Sequence, residues 1–483
     1  MTPKTPDTQP SMTAVPAYDE GVSAPPRLLL WGVIGFFLLV VVGAIGGVFA
    51  FREALAPSQQ QRIMEFAPFM RSFLRPTPQG GALPTVEPNS SNNALDLLNM
   101  PLAIASATPT QTPEATAEAT QEATPVSLAP SATATLAPTQ TPEATATLMP
   151  TSAPALEATT SAPANASVSL PASERLFGFR HQQQTWNNCG PATITMALSY
   201  YGWQNDQAYA ARFLKPNRED KNVSPEELVG FVNAQTQVKA LMRYGGNVDL
   251  LKTLIANKFA VVVERGIRFE AYEWLGHYQA LVAYDDTQGV FYAYDSFLGT
   301  GDGDLGVRMG YRELDEDWRA FNRIFMVVYL PQDEPLLLRL LGELADEQGS
   351  ASVAFATAQA EAQANPQDPF AWFNMGTSLV ALERYQEAAN AFDQAFRFTV
   401  PYRILWYQFA PFVAYYQMGR YDDVLRWAQI NLNNAPELEE MYYWRGRVYQ
   451  AQGKPEQARA EYNRALAYNS NFSAARSAIT SLN

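Results

Sequence analysis

The stretch Trp-Asn-Asn-Cys-Gly-Pro-Ala at residues 186–192 decides the fold prediction, because it holds the single cysteine of a 483-residue chain. A lone thiol is ordinarily a small buried apolar group. Here Pro191 fits the first turn of a helix, where its missing N–H is not needed, and apolar residues recur at helical spacing from Ile194 to Tyr201. We therefore predict that Cys189 stands at a helix N-terminus, where the helix dipole and unpaired N–H groups favour the nucleophilic thiolate.

A base and its orienting carboxylate are predicted on two neighbouring strands. His277, one of two histidines in the chain, opens a mostly apolar stretch with strand-like alternation, and Asp-Asp-Thr-Gln-Gly at 285–289 predicts a hairpin turn. The next strand ends at Asp295, so antiparallel pairing would bring both side chains to one sheet edge. A carboxylate there would fix the histidine tautomer and stabilise the imidazolium. Taken singly, the histidine could be structural and the aspartate a turn residue.

The order of glutamine, cysteine on a helix, histidine on a strand and aspartate resembles the papain-like cysteine peptidases. The resemblance is closest to the bacteriocin-processing peptidases that cut after a double glycine, and to their stand-alone relatives. It implies an α+β papain-like domain at 171–332, in which the cysteine helix packs on an antiparallel sheet. The motifs that carry it are His-Gln-Gln-Gln at 181–184, Asn-Cys-Gly-Pro at 188–191, Gly-His-Tyr at 276–278 and Tyr-Asp-Ser at 294–296.

The resemblance also implies roles for individual residues. Cys189 would be the nucleophile, His277 the base and Asp295 the residue that orients the histidine. In that family a glutamine about six residues before the cysteine donates its amide to the oxyanion hole, and this spacing falls on Gln183, with Gln184 as the alternative. Loss of one such donor typically slows acyl transfer about 100-fold to 1,000-fold.

Two features limit what the resemblance implies. The sequence has no phosphate-binding Gly-x-x-x-x-Gly-Lys loop, and a single apolar run precedes the domain, so an ATP-driven exporter is not expected. The double-glycine preference therefore does not carry over, and the substrate stays open. His181 competes for the role of base, but it lies on the segment of the nucleophile itself rather than on a facing strand.

Residues 28–51 form an uncharged, strongly apolar run after a short N-terminal tail at 1–27. In a helix this run would reach about 36 Å, which is enough for a hydrocarbon core of about 30 Å. We therefore predict a single transmembrane helix whose partner is the membrane. A cleaved signal peptide is the alternative, but the run is too long and a polar leader precedes it.

Residues 52–170 predict a juxtamembrane segment and a disordered linker rich in alanine, threonine and proline. The heptapeptide Thr-Gln-Thr-Pro-Glu-Ala-Thr occurs at 110–116 and again at 139–145, and such sequence buries too little apolar surface to fold. As a flexible coil the linker would separate its ends by roughly 50 to 60 Å. Basic residues near the apolar run favour a cytoplasmic C-terminal part, whereas long hydrophilic domains translocate largely regardless of charge. Because linkers of this kind usually carry outward-facing domains, we expect extracytoplasmic C-terminal domains.

A repeat of about 35 residues runs through the chain from 335 to 483, which is typical of the paired helices of tetratricopeptide repeats. The copy around Gly419 is degenerate. We predict an all-α repeat domain that docks a peptide substrate or a protein partner, with a rigid stabilising appendage as the alternative. The matching small and large positions are Trp372, Gly376, Leu379, Ala388, Phe392 and Ala395 in one copy and Tyr442, Gly446, Tyr449, Ala458, Tyr462 and Ala465 in the other.

Composition narrows the classes of ligand. The net charge of −14 and the pI near 4.8 argue against nucleic acid, which needs basic patches. Two histidines and one cysteine cannot form an ordinary zinc centre, and Asp-Gly-Asp at 302–304 favours a polar loop over a calcium site. We therefore predict no metal and no cofactor.

Together these patterns predict a membrane-anchored cysteine peptidase that hydrolyses peptide bonds in a peptide or protein substrate. One alternative is a peptidase-like fold that binds peptides without cutting them and scaffolds a complex. The other is an acyl transferase of transglutaminase-like chemistry, in which the same three side chains act with an amine, instead of water, as the acceptor.

Overall fold

The computed structural model of the chain describes residues 27–51, 63–64, 67–73, 91–100, 170–269 and 273–482. The strands are β1 Ser173–Arg175, β2 Lys239–Arg243, β3 Ala260–Phe269, β4 Glu273–Asp285, β5 Val290–Asp295, β6 Val307–Gly310 and β7 Phe325–Tyr329. The α-helices are α1 Arg27–Phe49, α2 Ser91–Asp96, α3 Cys189–Tyr200, α4 Gln207–Leu214, α5 Pro225–Gln235, α6 Val248–Ala256, α7 Tyr311–Trp318, α8 Glu334–Leu341, α9 Glu347–Ala364, α10 Pro369–Ala381, α11 Tyr385–Ala395, α12 Ala410–Gln417, α13 Tyr421–Asn434, α14 Glu439–Ala451, α15 Pro455–Tyr468 and α16 Ser473–Ser481. Short 3₁₀ helices include Leu97–Asn99 and Tyr402–Trp406.

The strands of the described residues form one antiparallel sheet in the order β2-β7-β3-β4-β5-β6, and β1 pairs with the end of β4. The predicted hairpin joins β4 to β5. Its turn is closed by Asp285, whose carboxylate accepts the backbone N–H of Thr287 at 2.8 Å, a turn-forming contact typical of aspartate. Gly289 completes it with φ +66°, a conformation that glycine adopts without steric penalty.

Helix α3 begins at Cys189, as predicted, and is buried along most of its length. It packs on strands β3, β4 and β5, and Ile194, Ala197 and Leu198 share an apolar core with residues of β3 and β4. Pro191 lies in its first turn, where the missing N–H would have no partner inside the helix. A helix on an antiparallel sheet is the predicted α+β arrangement, and it is confirmed.

The sheet is covered on both faces. On β3, Val262 joins the core beneath α3, whereas Val261 and Val263 join a second core, because successive strand residues point to opposite faces. Helices α6, α7 and α8 cover that second face, with Leu254 and Trp318 among its buried residues. Strand β4, which carries His277, is likewise packed on both faces, by Ala280 in the first core and Leu281 in the second.

The C-terminal part is helical and repeat-like, as predicted. The recurring glycines allow close helix contact, since a Cβ at Gly376 would lie 2.7 Å from the ring of Phe392 and one at Gly446 would come closer still to the ring of Tyr462. Glycine at these positions therefore gives room to the aromatic residue of the second helix in each pair.

The predicted transmembrane run at 28–51 falls on α1, whose side chains are described without a gap only from Phe37 to Phe49. Among the described residues, no helix is long and apolar enough to cross a membrane. The predicted linker lies mostly outside the described residues. Within its predicted bounds, residues 91–100 form α2 and a 3₁₀ turn.

Candidate active site

Three predicted side chains meet where α3 begins beside β4 and β5. The thiol of Cys189 hydrogen-bonds to the imidazole of His277, and His277 Nε2 lies 2.9 Å from Asp295 Oδ1. Asp295 stands opposite Gln279 in the sheet, and His277 is two residues earlier on the same face of β4. The histidine and aspartate are 2 % and 0 % exposed, while the cysteine is half-buried. The row therefore leads from a half-buried cysteine to a fully buried carboxylate.

Four donors hold Asp295. Its Oδ1 accepts the backbone N–H groups of Phe297 at 2.7 Å and Leu298 at 2.8 Å besides the ring of His277, and its Oδ2 accepts from the Gln279 amide. Because an ionised carboxylate only accepts hydrogen bonds, the histidine nitrogen that faces it carries a proton. Nδ1 is therefore the ring nitrogen that serves the thiol.

The charges of this row favour an ion pair between sulfur and imidazole. Burial tends to lower the pKa of His277, but the charge and hydrogen bond of Asp295 raise that pKa to about 10. Burial tends to raise the pKa of Asp295, yet His277 and the remaining donors hold it below its ordinary value. Burial also opposes ionisation of Cys189, whose pKa is nevertheless lowered by the hydrogen bond and charge of His277. Thiolate and imidazolium thus stabilise each other.

The two glutamines considered for the oxyanion hole lie beside the loop that follows β5. Gln183 Nε2 donates to the carbonyl of Phe297 at 2.9 Å. An amide nitrogen carries two hydrogens, and the second has no partner among the described residues. Gln184 accepts the hydroxyl of Ser296 at 2.8 Å and donates its backbone N–H to the carbonyl of the same residue. Gln183 therefore has one amide hydrogen left for a ligand, whereas the hydrogen bonds of Gln184 hold the loop that follows β5.

Lys215, which carries no sequence signal, supports the loop before Cys189. It is buried, and its ammonium donates to main-chain carbonyl oxygens, including those of Asn187 at 2.9 Å and Asp220 at 3.0 Å. Burial lowers the pKa of this lysine to about 8, against the opposing charges of Asp220 and Cys189. The contacts are to main-chain carbonyls, which every residue has, so no motif could have revealed them.

Gln207, at the start of α4, is a second support that the sequence does not signal. Its Oε1 accepts Asn188 Nδ2 at 2.7 Å and the backbone N–H of Thr185 at 2.9 Å, and its Nε2 donates to the carbonyl of Gln183 at 2.7 Å. The side-chain amide of Gln207 thus connects the turn before Cys189 with the segment that contains Gln183.

Two further residues of the motif region have partners of their own. His181 Nε2 lies 2.8 Å from the main-chain oxygen of Asp295, so this histidine is directed at the backbone of the aspartate. The ring that contacts the thiol is His277. Trp186 donates its indole N–H to Glu219 at 3.0 Å.

The helical region reaches the same site. The hydroxyl of Tyr407 hydrogen-bonds to the backbone of Gly276, the residue before the histidine, and a Cβ at that glycine would lie 3.1 Å from the Tyr407 ring. Arg403 donates to the carbonyl of Trp274 at 3.3 Å. Burial, together with the charge of Cys189, raises the pKa of Tyr407. The helical region therefore contacts the part of β4 that directly precedes His277.

No group of three or more histidine, cysteine, aspartate or glutamate side chains within the described part of the chain could hold a metal ion. The Asp-Gly-Asp stretch forms the exposed 3₁₀ turn Asp302–Asp304.

Comparison with protein families gives two matches. Residues 178–324 match the Peptidase_C39 like family, and residues 439–472 match the tetratricopeptide repeat. The chain carries a C39-like peptidase domain and a tetratricopeptide repeat. The predicted resemblance is thereby confirmed. Gln183, Cys189, His277 and Asp295 all lie in the C39-like domain, and the matched repeat is the pair α14 and α15.

Solved structures resemble parts of the chain. A C39-like peptidase from Bacillus anthracis is 16% identical, covers 32% of this chain and 96% of its own, and has a TM-score of 0.27. Residues 41 to the end of MamA from Desulfovibrio magneticus RS-1 are 18% identical, cover 31% of this chain and 93% of their own, and have a TM-score of 0.24. Comparison with curated proteins gives no match.

Proposed function

We propose that the protein is a cysteine peptidase that hydrolyses peptide bonds with Cys189, His277 and Asp295. The supporting observation is the continuous hydrogen-bonded row from thiol to imidazole to carboxylate at the start of a helix. A buried carboxylate and a buried imidazolium are costly to maintain in a protein interior. Strongly shifted pKa values next to a nucleophile are typical of catalytic sites.

In the proposed reaction the Cys189 thiolate attacks the carbonyl carbon of the substrate, and the C=O electron pair moves to oxygen. The backbone N–H of Cys189 and the second amide hydrogen of Gln183 stabilise this oxyanion. Imidazolium His277 gives its Nδ1 proton to the departing amine, which leaves a thioester on the sulfur. Water then gives a proton to the neutral imidazole and attacks the thioester, which releases the carboxylic acid and restores the ion pair.

The repeat helices are proposed to present the substrate or a partner protein to this cleft. Tyr407 and Arg403 contact β4 at residues 274–276, next to the histidine. A polypeptide bound on the helical side near these residues would lie beside the sulfur. Helical repeats commonly provide extended binding surfaces of this kind.

Membrane attachment through residues 28–51, with extracytoplasmic C-terminal domains, completes the proposal and rests on the sequence alone. Alkaline carbonate extraction of cell membranes tests attachment, and the protein is expected in the pellet. Protease added to intact cells tests orientation, because digestion of the repeats without lysis requires that they face outward. Protection of the repeats until lysis would reverse the proposed orientation.

The activity is tested with the full-length protein in mild detergent, a diverse peptide library and mass spectrometry of the products. Cleavage is expected for the wild type, with one water added across each cut bond, and is expected to vanish in Cys189→Ala. His181→Asn, which alters the other histidine, should retain cleavage. Products that carry an amine in place of water would indicate acyl transfer. Labelling of Cys189 by an electrophile without any turnover would favour a peptide-binding protein.

A further inference from the structure

A short segment from the predicted linker is seated on the helical region. Ala94 and Leu97 of residues 91–100 join the core of that region and are almost fully buried. Helix α2 contacts α11, and the 3₁₀ turn after it contacts α9. The segment thus occupies the surface between α9 and α11, which we call the α9–α11 surface.

Two glutamines of α9 bind the main chain of this segment. Gln359 Nε2 donates to the carbonyl of Leu97 at 2.6 Å and to that of Met100 at 3.1 Å, and Gln363 donates to the carbonyl of Leu98. The glutamines are four residues apart and so lie on one face of the helix. The carbonyls they bind are the ones that the end of a short helix leaves without partners.

Gln359 is 2 % exposed, and both of its amide hydrogens go to residues 97 and 100. An occupant that covered this amide without supplying acceptors would leave it buried and unpaired, which is destabilising by roughly 1 to 3 kcal/mol. The α9–α11 surface is therefore built for an occupant that supplies main-chain carbonyls, and it is not merely an apolar face.

The segment also has an inner and an outer side. Leu97 is 2 % exposed, whereas Leu95 is 47 % exposed. At the far end, Arg384 lies 3.2 Å from the sulfur of Met100. A helix of six residues is unstable alone in water, so its order derives from the surface that receives it.

We propose that the α9–α11 surface is a binding site for a short helical peptide with two inward apolar residues and exposed C-terminal carbonyls, and that residues 91–100 of the same chain are its occupant. The part of the chain that joins α1 to the folded domains is consequently only 52–90. This inference is independent of the catalytic proposal.

Amide hydrogen exchange on the intact full-length chain tests the inference, with peptides that cover residues 94–100 read by mass spectrometry. The reference is a synthetic peptide of residues 88–103. In the wild type we expect exchange at least about tenfold slower than in the free peptide, since docking alone protects so short a helix. Leu97→Asp should exchange like the free peptide, and Leu95→Asp, the matched control on the outer side, should stay protected.

A second variant addresses the receiving side. Gln359→Ala combined with Gln363→Ala leaves the segment itself unchanged, and it should raise exchange at 94–100 while exchange in α10 and α14 stays at the wild-type rate. The inference is overturned if the wild-type segment exchanges like the free peptide. It is equally overturned if Leu97→Asp, or the double glutamine variant, stays as protected as Leu95→Asp.

Discussion

The sheet edge that carries His277 and Asp295 and the tetratricopeptide-like helices both bury large side chains, but the contacts that hold them differ. At the sheet edge, Asp295 is held by four directed donors and Lys215 by main-chain carbonyls. In the repeats, Tyr462 fills the space that Gly446 leaves open. Directed contacts set proton positions and charge, whereas close packing sets stability. Substitutions in the first region should therefore change chemistry, and those in the second should change the free energy of unfolding.

The largest effect is expected for His277→Gln. Loss of a triad member in enzymes of this mechanism typically lowers kcat about 10,000-fold, because the nucleophile loses its activating base and the leaving group its proton donor. The midpoint of thermal unfolding should move much less than kcat does. Steady-state kinetics on a cleaved library peptide measures the loss, and His181→Gln is the control. If His181→Gln abolished activity and His277→Gln did not, the assignment of the base would be wrong.

Gln183→Ala ranks second. The loss of one oxyanion donor should lower kcat about 100-fold to 1,000-fold with KM nearly unchanged, because the hydrogen bond forms with the transition state rather than the substrate. Gln184→Ala is the matched comparison and should have a smaller effect, since that side chain binds Ser296. A larger loss in Gln184→Ala would move the oxyanion role to the neighbouring residue.

The sequence sufficed to predict that Cys189, His277 and Asp295 would meet, because each of them belongs to a local pattern. Pro191 and helical spacing predict where α3 begins, and strand alternation with a hairpin turn places Asp295 near His277. Residues that support these three side chains but belong to no local sequence pattern could not be predicted. Lys215 and Gln207 reach main-chain groups brought close only by tertiary packing.

The seating of residues 91–100 could not be predicted for a different reason. Six helical residues are too few to give a recognisable apolar period, and their order depends on Gln359 and Gln363, which lie far away in the sequence. The direction of the Gln183 amide toward Phe297 was likewise beyond the motif, which specifies a residue type and a spacing but no rotamer. Repeat packing was predictable because it recurs, with Gly376 and Gly446 in equivalent places.

Gly446→Ala tests the role of close packing in the tetratricopeptide-like helices. The added methyl group would overlap the ring of Tyr462, and overpacking of this kind costs typically about 1 to 3 kcal/mol in the free energy of unfolding. Chemical denaturation measures the loss. The rate at which iodoacetamide alkylates Cys189 should stay at the wild-type value in the folded variant.

Gly230→Ala is the matched glycine for this experiment. It lies within α5 and an added Cβ would have nothing within 4 Å, so alanine should stabilise the protein by up to about 1 kcal/mol through its better helix propensity. If both glycine variants lost stability equally, backbone conformation rather than aromatic packing would explain the recurrence of glycine.

The smallest effect is expected when the positive charge of Lys215, which acts on the Cys189 thiol, is removed. The pKa of Cys189 is lowered against the effect of burial by His277 first and by the charge of Lys215 as well. The thiolate therefore persists to lower pH than that of an ordinary cysteine, and the rate of alkylation should fall as the pH drops through this lowered pKa. Lys215→Met removes one positive charge, so the alkylation profile should move to higher pH by up to about one unit.

Lys221→Met is the control, because that ammonium belongs to the same loop but pairs with Glu437 at 3.8 Å and donates to the carbonyl of Glu219 at 2.7 Å. It should leave the alkylation profile in place. Lys215→Arg keeps the charge and should restore most of the wild-type profile if the charge matters, whereas a role confined to packing would leave the arginine variant displaced like the methionine variant. Equal shifts in Lys215→Met and Lys221→Met would mean that general surface charge, rather than a buried ammonium under the nucleophile loop, sets the thiolate pKa.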